Sequence, residues 1–367
     1  MMSSKLPSNF LEIKKSVSRE LYENVLPFWS KYSHDDEYGG WFACLDKDGD
    51  IYDERKFIWL NGRQLWMFAR LCSDVSSADI RDRSRGLLES EKLLHQAERA
   101  ADFLLAHSFS KEGLAYFSLS RQGRPYSFQR KMFSACFICI GLGSLSKHST
   151  LSRASVYRSE ARKLLLSIVN LSHDPSPLGR EDVPCDGAPP TSPMNVPMIL
   201  LNVIDEMRKA GAIEGANDDD GIFYTKEEEW CIHEILKHVD VERKLVFENV
   251  NPDGSAIPGY DGRHMNPGHA IEAGWFVLSY AERHGREDLM TLATNIIEWS
   301  FEIGWDKEHG GLYYFLDSEG KSPPYLEWNM KLWYFTIIDS YNCFYFTSMT
   351  ETLFFEFLYT LLFDCLS

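Results

Sequence analysis

The sequence has little positive charge. It contains 38 Lys and Arg residues against 54 Asp and Glu residues, which gives a formal net charge of −16 at pH 7. Because nucleic-acid binding relies on basic contacts to phosphate, this balance argues against a nucleic-acid partner. An acidic surface also disfavours binding to anionic membranes. We therefore expect a soluble protein that binds neither nucleic acid nor membrane.

A secretory signal and a disulfide framework are also missing. Residues 1–15 contain no apolar run of the kind that a signal peptide needs. The eight cysteines lack framework spacing, and Cys136 and Cys139 form a CxxC pair in an apolar run with no histidine beside it. Such cysteines are typical of free thiols in a reducing compartment. The sequence therefore predicts a cytoplasmic protein with no metal site and no redox cofactor.

The chain contains a repeated motif. Segment 35–49 recurs in segment 306–320 at one constant offset, 271 residues, as from Asp35 to Asp306. The first copy predicts two short strands around an Asp-Gly turn, and looser hairpin signals occur near residues 113, 179 and 247. The seven repeated positions are three acids, one leucine and three glycines, which in the first copy are Asp35, Glu37, Gly39, Gly40, Leu45, Asp46 and Gly49.

Helical patterns separate these hairpins. Apolar spacing predicts helices over 11–32, 56–71, 90–106, 133–145, 159–171, 194–210, 227–239, 272–284 and 288–303. A period of two helices and one hairpin is typical of a closed ring of helix pairs with the hairpins at one end. The expected fold class is all-α, an (α/α)6 barrel with short β-hairpins at one end. A sixth hairpin would start beyond residue 367, so the last helix pair is expected to be incomplete.

The C-terminal segment has an unusual composition. Residues 333–367 carry twelve aromatic and four acidic residues and contain neither Lys nor Arg. A core helix pair, a weak hydrophobic anchor and a divergent replacement sequence all fit this composition, although acidic residues interrupt every span long enough for an anchor. We divide the chain into a barrel domain over 1–335 and a divergent hydrophobic tail over 336–367.

The stretch 266–275 is the clearest candidate for chemistry. An Asn-Pro-Gly turn at 266–268 precedes a helical pattern. His269, Glu272 and Trp275 follow at a spacing that puts them on roughly one face of that helix. A histidine, a carboxylate and an indole at a helix start predict a polar site with an aromatic wall. A capping histidine beside a core tryptophan gives the same pattern.

Six short motifs together carry a family resemblance. They are YGGWF at 38–42, KFIWLNGRQ at 56–64, RQGRP at 121–125, PMNVPM at 193–198, the stretch 266–275, and the GWD and GG pairs at 304–306 and 310–311. From about residue 10 to Trp333 the chain resembles the N-acylglucosamine 2-epimerase family, also known as renin-binding protein and related to the cellobiose 2-epimerases. The resemblance implies a barrel of six helix pairs and an isomerase that interconverts N-acetylglucosamine and N-acetylmannosamine.

The resemblance also implies catalytic residues. Arg63 matches the substrate-positioning arginine, His269 matches one of two catalytic histidines, and Glu272 matches the carboxylate one helical turn later. Apart from the family resemblance, Arg63 could be a salt-bridged arginine of the barrel, and Glu272 could stabilise the helix N-terminus through the helix dipole. Removing the C2 proton of a sugar calls for a histidine, and the enolate that forms calls for a fixed cation.

Binding residues and partners follow from the same resemblance. Trp59 and Trp275 match aromatic positions that face the cavity, and Met194 and Met198 lie in a segment near the sugar; the two tryptophans could also be core residues. The expected partner is a small amino sugar in a homodimeric enzyme, and a renin-like protease is a further expected partner. No cofactor is expected to be required, and ATP or another nucleotide is expected to act as an activator.

The chain departs from the family after Trp333. The position of a family glutamate is Ile338, and no histidine occurs after His309, although the second catalytic histidine of the family comes later. Inversion at C2 needs proton carriers on two faces, so an impaired activity is one expectation. A non-catalytic sugar- or protein-binding partner of the same fold is one alternative. An aldose–ketose isomerase of free hexoses, which needs only one base, is another.

Overall fold

The computed structural model describes residues 18–74, 88–179, 191–213 and 219–331. Contacts between residues divide this part of the chain into two compact units. The first unit contains residues 18–74, 88–179 and 206–213, and the second contains residues 191–205 and 219–331. No helix in these described ranges is both long enough and apolar enough to cross a membrane. The predicted tail over 336–367 lies outside the described residues.

The first unit consists of helices and short antiparallel strands. A π-helical turn, Leu21–Val25, leads into α1 (Leu26–Tyr32). The other elements are β1 (Cys44–Leu45), β2 (Ile51–Asp53), β3 (Lys56–Phe57), α2 (Ile58–Asp74), α3 (Ser90–His107), β4 (Ser118–Leu119), β5 (Pro125–Ser127), α4 (Phe133–Leu145), α5 (Leu151–His173) and a 3-10 turn, Ser176–Leu178. Strand β1 pairs with β2, and β4 lies between β3 and β5.

Helix α4 is the buried centre of the first unit. Every residue from Ser134 to Leu145 is buried, and α4 packs against α2 and α5. Its backbone approaches that of α2 closely, because a Cβ added at Gly62 would lie 2.6 Å from the carbonyl carbon of Phe137. A Cβ added at Gly141 would lie 2.9 Å from the carbonyl oxygen of Gly62. Two glycines therefore fix the contact between these helices.

The second unit repeats the alternation of strands and helices. Its elements are β6 (Ser192–Pro193), α6 (Asn195–Lys209), α7 (Asp219–Leu236), β7 (Val239–Asp240), β8 (Leu245–Val246), β9 (Asn249–Val250), β10 (His264–Met265), α8 (Pro267–His284), α9 (Glu287–Gly304) and β11 (Leu316–Asp317), and α6 is counted here up to residue 205. Strand β6 pairs with β9, β7 with β8, and β10 with β11, all antiparallel. Helices α8 and α9 pack against each other.

The two copies of the repeated motif form the same turn at their start. In the first hairpin (residues 35–49), the Asp35 amide donates to the Gly40 carbonyl at 3.0 Å, and the Gly39 amide donates to the Asp35 carbonyl at 2.8 Å. In the second hairpin (residues 306–320), the corresponding bonds of Asp306 are both 2.9 Å long. The isolated bridge His34–Trp41 likewise has its counterpart in Trp305–Leu312. The turns of the predicted repeat therefore recur in the structure, whereas its strands do not: β1 pairs with β2 next to it, and β11 pairs with the distant β10.

Several predicted boundaries are corrected by the structure. The helix predicted over 56–71 begins at Ile58, because Lys56 and Phe57 form a strand that pairs with Leu119 and Ser118. The helix predicted over 227–239 begins at Asp219 and ends at Leu236. Helix α8 begins at Pro267, five residues before the predicted start, since proline suits the first turn of a helix.

The cysteines of the CxxC pair are structural residues in α4. Cys136 and Cys139 are both fully buried free thiols, and the Sγ atom of Cys139 donates to the Ala161 carbonyl at 3.2 Å. Burial raises the pKa of both thiols, which keeps them in the unreactive protonated form.

Candidate active site

His269 lies at the start of α8. The helix is preceded by Asn266, whose side-chain oxygen accepts a hydrogen bond from the His269 amide at 3.2 Å. Asparagine is a favourable residue at this position because its side chain satisfies an amide that the helix leaves unpaired. Pro267 then fixes the backbone of the first turn. His269 lies in the first turn of this helix, as the sequence predicted, but residues 267 and 268, which were predicted to belong to a preceding turn, are already helical.

The ring of His269 is held by a carboxylate that the sequence analysis did not identify. The Nδ1 atom of His269 lies 3.0 Å from Oε1 and 3.2 Å from Oε2 of Glu248. The Glu248 side chain is 10% exposed and the His269 side chain 30% exposed. A neutral imidazole has one N–H group, and hydrogen bonding to a carboxylate assigns that group to Nδ1. The other ring nitrogen, Nε2, has no hydrogen-bond partner among the described residues.

Glu248 lies in an extended segment that is fixed on both sides. It falls between β8 and β9, its amide donates to the His264 carbonyl at 2.9 Å, and its carbonyl accepts from the Met194 amide at 2.9 Å. Both backbone groups are therefore satisfied, which a buried strand segment requires. Residues 191–194 and 264 hold Glu248 in place from two directions.

The electrostatic environment favours the charged form of both side chains. Burial alone would lower the pKa of His269, but the charge and hydrogen bond of Glu248, with a contribution from the charge of Glu272, raise it to about 9. Burial likewise opposes ionisation of Glu248, yet the nearby His269 holds the pKa of this carboxyl below its usual range. A positive ring at a helix N-terminus opposes the helix dipole, so the two carboxylates offset an unfavourable position.

Two further histidines face Glu248. His238 is fully buried, and its Nδ1 lies 2.9 Å from the Phe247 carbonyl. His264 is 8% exposed and stacks on the ring of Tyr260 at a centroid distance of 5.2 Å. Burial lowers the pKa of both rings, so they are neutral at pH 7. Of the three histidines, His269 is the one that is charged and partly exposed.

The other predicted residues of the second unit lie on α8 or at the start of α6. Glu272 and Trp275 are half-buried residues of α8, and the charge of Glu272 acts on His269. Met194 and Met198 are 1% and 5% exposed, and the backbone of Met194 contacts that of Glu248. Contact of these four side chains with a sugar stays a prediction.

Arg63 and Trp59 lie together in the first unit, on α2. The guanidinium carbon of Arg63 is 4.2 Å from the ring centroid of Phe137 and 5.1 Å from that of Trp59. Such stacking orients a guanidinium on an aromatic face. Because Arg63 belongs to the first unit and His269 to the second, their predicted convergence on one substrate stays a prediction.

Trp59 also lines an aromatic cavity of the first unit. The cavity has a volume of about 650 Å³, which is sufficient for a small sugar. Its aromatic lining consists of Phe28, Trp29, Tyr52, Phe57, Trp59 and Phe117.

The described residues contain no group of three or more His, Cys, Asp and Glu side chains that could hold a metal ion. The arrangement around His269 instead has the geometry of a general acid–base group: one ring nitrogen is held by a carboxylate, and the other lies on a partly exposed side chain. The chemistry that it supports is proton transfer at a carbon or oxygen atom of a bound ligand.

Glu248 could have been found in the sequence from its neighbours. It is a single acid among apolar and uncharged residues in the run Leu245 to Val250. An acid in a strand-like apolar run is expected to be buried and therefore to need a partner. What the sequence did not show is the partner, because His269 follows 21 residues later.

Comparison with known proteins identifies the family. Residues 40–336 match the family described as N-acylglucosamine 2-epimerase (GlcNAc 2-epimerase). The chain is 41% identical over 326 residues to the N-acylglucosamine 2-epimerase of Mus musculus, covering 88% of this chain and 72% of that protein. It is 37% identical over 325 residues to that of Homo sapiens, covering 88% of this chain and 71% of that protein.

A solved structure shows the fold class. The cellobiose 2-epimerase of Bacillus thermoamylovorans B4167 superimposes with a TM-score of 0.68 at 19% sequence identity, covering 96% of this chain and 86% of that chain. This likeness confirms the predicted α/α-barrel fold class. The sequence match and the fold agree with the predicted family resemblance, and the chain belongs to the N-acylglucosamine 2-epimerase family.

Proposed function

We propose that this protein is an isomerase that interconverts N-acetylglucosamine and N-acetylmannosamine by moving the proton on C2. Membership of the N-acylglucosamine 2-epimerase family supports the substrate class. The observation that carries the chemistry is the ring of His269, whose Nδ1 atom is held by the buried Glu248 while Nε2 lies on a partly exposed side chain. A ring arranged in this way can accept and return a proton at one defined atom.

The proposed reaction is a proton exchange with no net change in composition. The sugar ring opens to the aldehyde, and a base removes the C2 proton while the electron pair of the C–H bond moves toward the aldehyde oxygen. A cation stabilises the resulting enolate, and Arg63 is the proposed cation. A donor on the opposite face, water or a second acid, then supplies the proton for a new C–H bond at C2, and the enolate becomes the aldehyde again. His269 is the proposed carrier on one face: its neutral imidazole accepts the proton in one direction of the reaction, and its imidazolium, the form that Glu248 favours, donates the proton in the other direction.

Exchange of hydrogen at C2 tests this proposal directly. The protein is incubated with N-acetylglucosamine in D2O, and NMR spectroscopy follows both deuterium at C2 and the signals of N-acetylmannosamine. We expect both to appear, and we expect His269→Asn to lower their rate by roughly 10²- to 10⁴-fold. His309→Asn is the matched control, because the side chain of His309 is 72% exposed in the second hairpin.

Each other outcome contradicts the proposal in a different way. Deuterium at C2 without N-acetylmannosamine would show proton exchange on one face only. A ketose product would show an aldose–ketose isomerase instead, and the absence of exchange would show a non-catalytic binding protein. Equal activity of the His269→Asn variant and the wild type would remove His269 from the mechanism.

The cellular setting is proposed from family membership alone. We propose a cytoplasmic homodimer whose activity increases with ATP or another nucleotide and which also binds a renin-like protease. Sedimentation analysis of the purified protein tests the dimer, and the NMR assay with and without ATP tests the nucleotide. A monomer whose rate does not respond to ATP would contradict both proposals.

A further inference from the structure

We infer that Glu248 is the positioning residue of the active site, which orients the ring of His269 and determines which of its nitrogens carries the exchanged proton. The inference rests on the proposed function for the role of His269. It assigns a role to a residue on a different segment of the chain, 21 residues before His269.

The first argument is the geometry of the contact. Both carboxylate oxygens of Glu248 lie within hydrogen-bond distance of Nδ1, at 3.0 and 3.2 Å. A single N–H group shared between two oxygens restrains the rotation of the ring as well as its tautomer. In the neutral ring the proton then lies on Nδ1, and the lone pair of Nε2 is the base.

The second argument is the rigidity of the support. The amide and the carbonyl of Glu248 are both hydrogen-bonded, to His264 and Met194, and the residue lies between two strands. The amide of His269 is itself fixed by the Asn266 side chain. Both ends of the Glu248–His269 contact therefore start from backbone that is held in place, as positioning at a catalytic site requires.

The third argument is the charge of the surroundings. The titratable groups that face this pair are Glu272 on α8, His264 on β10, His238 before β7 and Tyr314 before β11. Burial keeps His238 and His264 neutral and raises the pKa of Tyr314, so none of these three is charged at pH 7. Glu248 and Glu272 are the carboxylates that act on His269, and the hydrogen bond comes from Glu248.

A measurement on the wild-type protein tests the inference without any variant of Glu248. Nitrogen-15 NMR spectra of the histidine side chains report the tautomer and the titration midpoint, and the signal lost in His269→Asn identifies His269. We expect the neutral ring to be the Nδ1–H tautomer and its midpoint to exceed the ordinary value of about 6.5. An Nε2–H tautomer, or a midpoint at or below about 6.5, would overturn the inference.

Variants of Glu248 test its role in catalysis. In Glu248→Gln the negative charge is lost, so we expect the His269 midpoint to fall by more than about one pH unit. We expect kcat to fall by roughly 10- to 100-fold with a smaller change in KM, and the pH profile to shift to lower pH. Glu248→Asp keeps the charge, and we expect it to restore the raised midpoint in part.

Glu228→Gln is the matched control. Glu228 is a fully buried glutamate of the same unit, and it pairs with Arg283 at 2.7 Å instead of with a histidine. We expect Glu228→Gln to lower thermal stability while the His269 titration and the pH profile stay unchanged. If Glu248→Gln behaves in the same way, Glu248 is a structural residue only and the inference is wrong.

The titration separates this inference from the proposed function. A raised midpoint that depends on Glu248, in a protein that does not exchange hydrogen at C2, would contradict the proposed function and leave the positioning of His269 intact. Exchange at C2 with a midpoint that is independent of Glu248 would contradict the inference and leave the function intact.

Discussion

The first and second hairpins share the hydrogen bonds of their turns but differ in their surroundings. In the first, Asp35 pairs with Lys56 at 2.8 Å, and both side chains are 0% exposed. In the second, Asp306 pairs with Lys331 at 2.9 Å, and the side chains are 8% and 21% exposed. Asp35 also accepts from Arg121, whereas the Lys331 ammonium lies 3.5 Å from the ring centroid of Tyr313.

The difference shows which structural features a local sequence repeat reproduces. The acid at the start of each hairpin accepts two backbone amides two and three residues later in both copies. These bonds are local, so the same residues at the same spacing reproduce them. The paired cation comes from elsewhere in the chain, and its burial depends on packing that the repeat does not contain.

Replacing the paired lysine should give the largest difference in stability between the two hairpins. Lys56 also donates to the carbonyls of Gly39 and Arg121, so Lys56→Met leaves a buried carboxylate and two carbonyls without this donor. We expect it to lower the free energy of unfolding by about 3–5 kcal/mol. Lys331→Met removes a partly exposed partner, and we expect less than half of that loss. Urea denaturation of both variants measures the difference, and equal losses would contradict the comparison.

Alanine at the matched glycines should give the next largest effect. Gly39 has φ +82°, and an added Cβ would lie 2.6 Å from the Arg99 carbonyl oxygen. Gly310 has φ +75°, and its Cβ would come no closer than 3.7 Å to a ring atom of Trp305.

Both substitutions should lower the free energy of unfolding by about 1 kcal/mol, because alanine is strained in the left-handed region. Gly39→Ala should lower it by about 2 kcal/mol more, because its Cβ clashes with the Arg99 carbonyl. Thermal unfolding of the two variants tests this expectation. A Gly310→Ala variant as unstable as Gly39→Ala would show that backbone strain alone decides.

The smallest difference in stability between the two hairpins is expected at acid pH. Burial opposes ionisation of Asp35, but hydrogen bonds from Arg121 and Lys56 outweigh it and lower the pKa from 3.8 to about 2. The unfolded state therefore binds the proton first as the pH falls. The contribution of Asp35, about 2 kcal/mol, is present above pH 3.8 and is lost as the pH falls toward 2.

The corresponding variants of both hairpins test this pH dependence. The pKa of Asp306 is also lowered, chiefly by the hydrogen bond from Lys331, so Asp35→Asn and Asp306→Asn should both flatten the acid limb of stability against pH. In 1 M NaCl the effect of Asp306→Asn should shrink, because salt screens the more exposed pair, while that of Asp35→Asn should persist. Equal salt dependence would show that burial of the pair is irrelevant.

Much of the helical fold could be predicted because its signals are local. The helix predicted over 133–145 has the same bounds in the structure, because an apolar run between polar turns marks both of its ends. The strand at Lys56 and Phe57 was missed because it forms by pairing with residues 118 and 119. A short strand has no local signal that competes with the helical pattern that follows it.

The candidate site shows the same division. His269 could be predicted, since the Asn-Pro-Gly stretch and the helix that starts within it are local features. Glu248 could not be paired with it, because the position of Glu248 depends on backbone hydrogen bonds to His264 and Met194, residues distant in the sequence. The sequence therefore predicted His269, whose signals are local, but not Glu248, whose partner is distant in the sequence.

The glycine contact between α2 and α4 has a consequence for Arg63, the residue that follows Gly62. A displacement of α2 toward α4 would drive their backbones into each other near Gly62 and Gly141. This contact therefore restrains the segment that carries the guanidinium, and under the proposed role of Arg63 any adaptation to differently shaped sugars falls to the torsion angles of its side chain. Sugars that differ near this cation should be sorted by rotamer choice, with the helix itself unmoved.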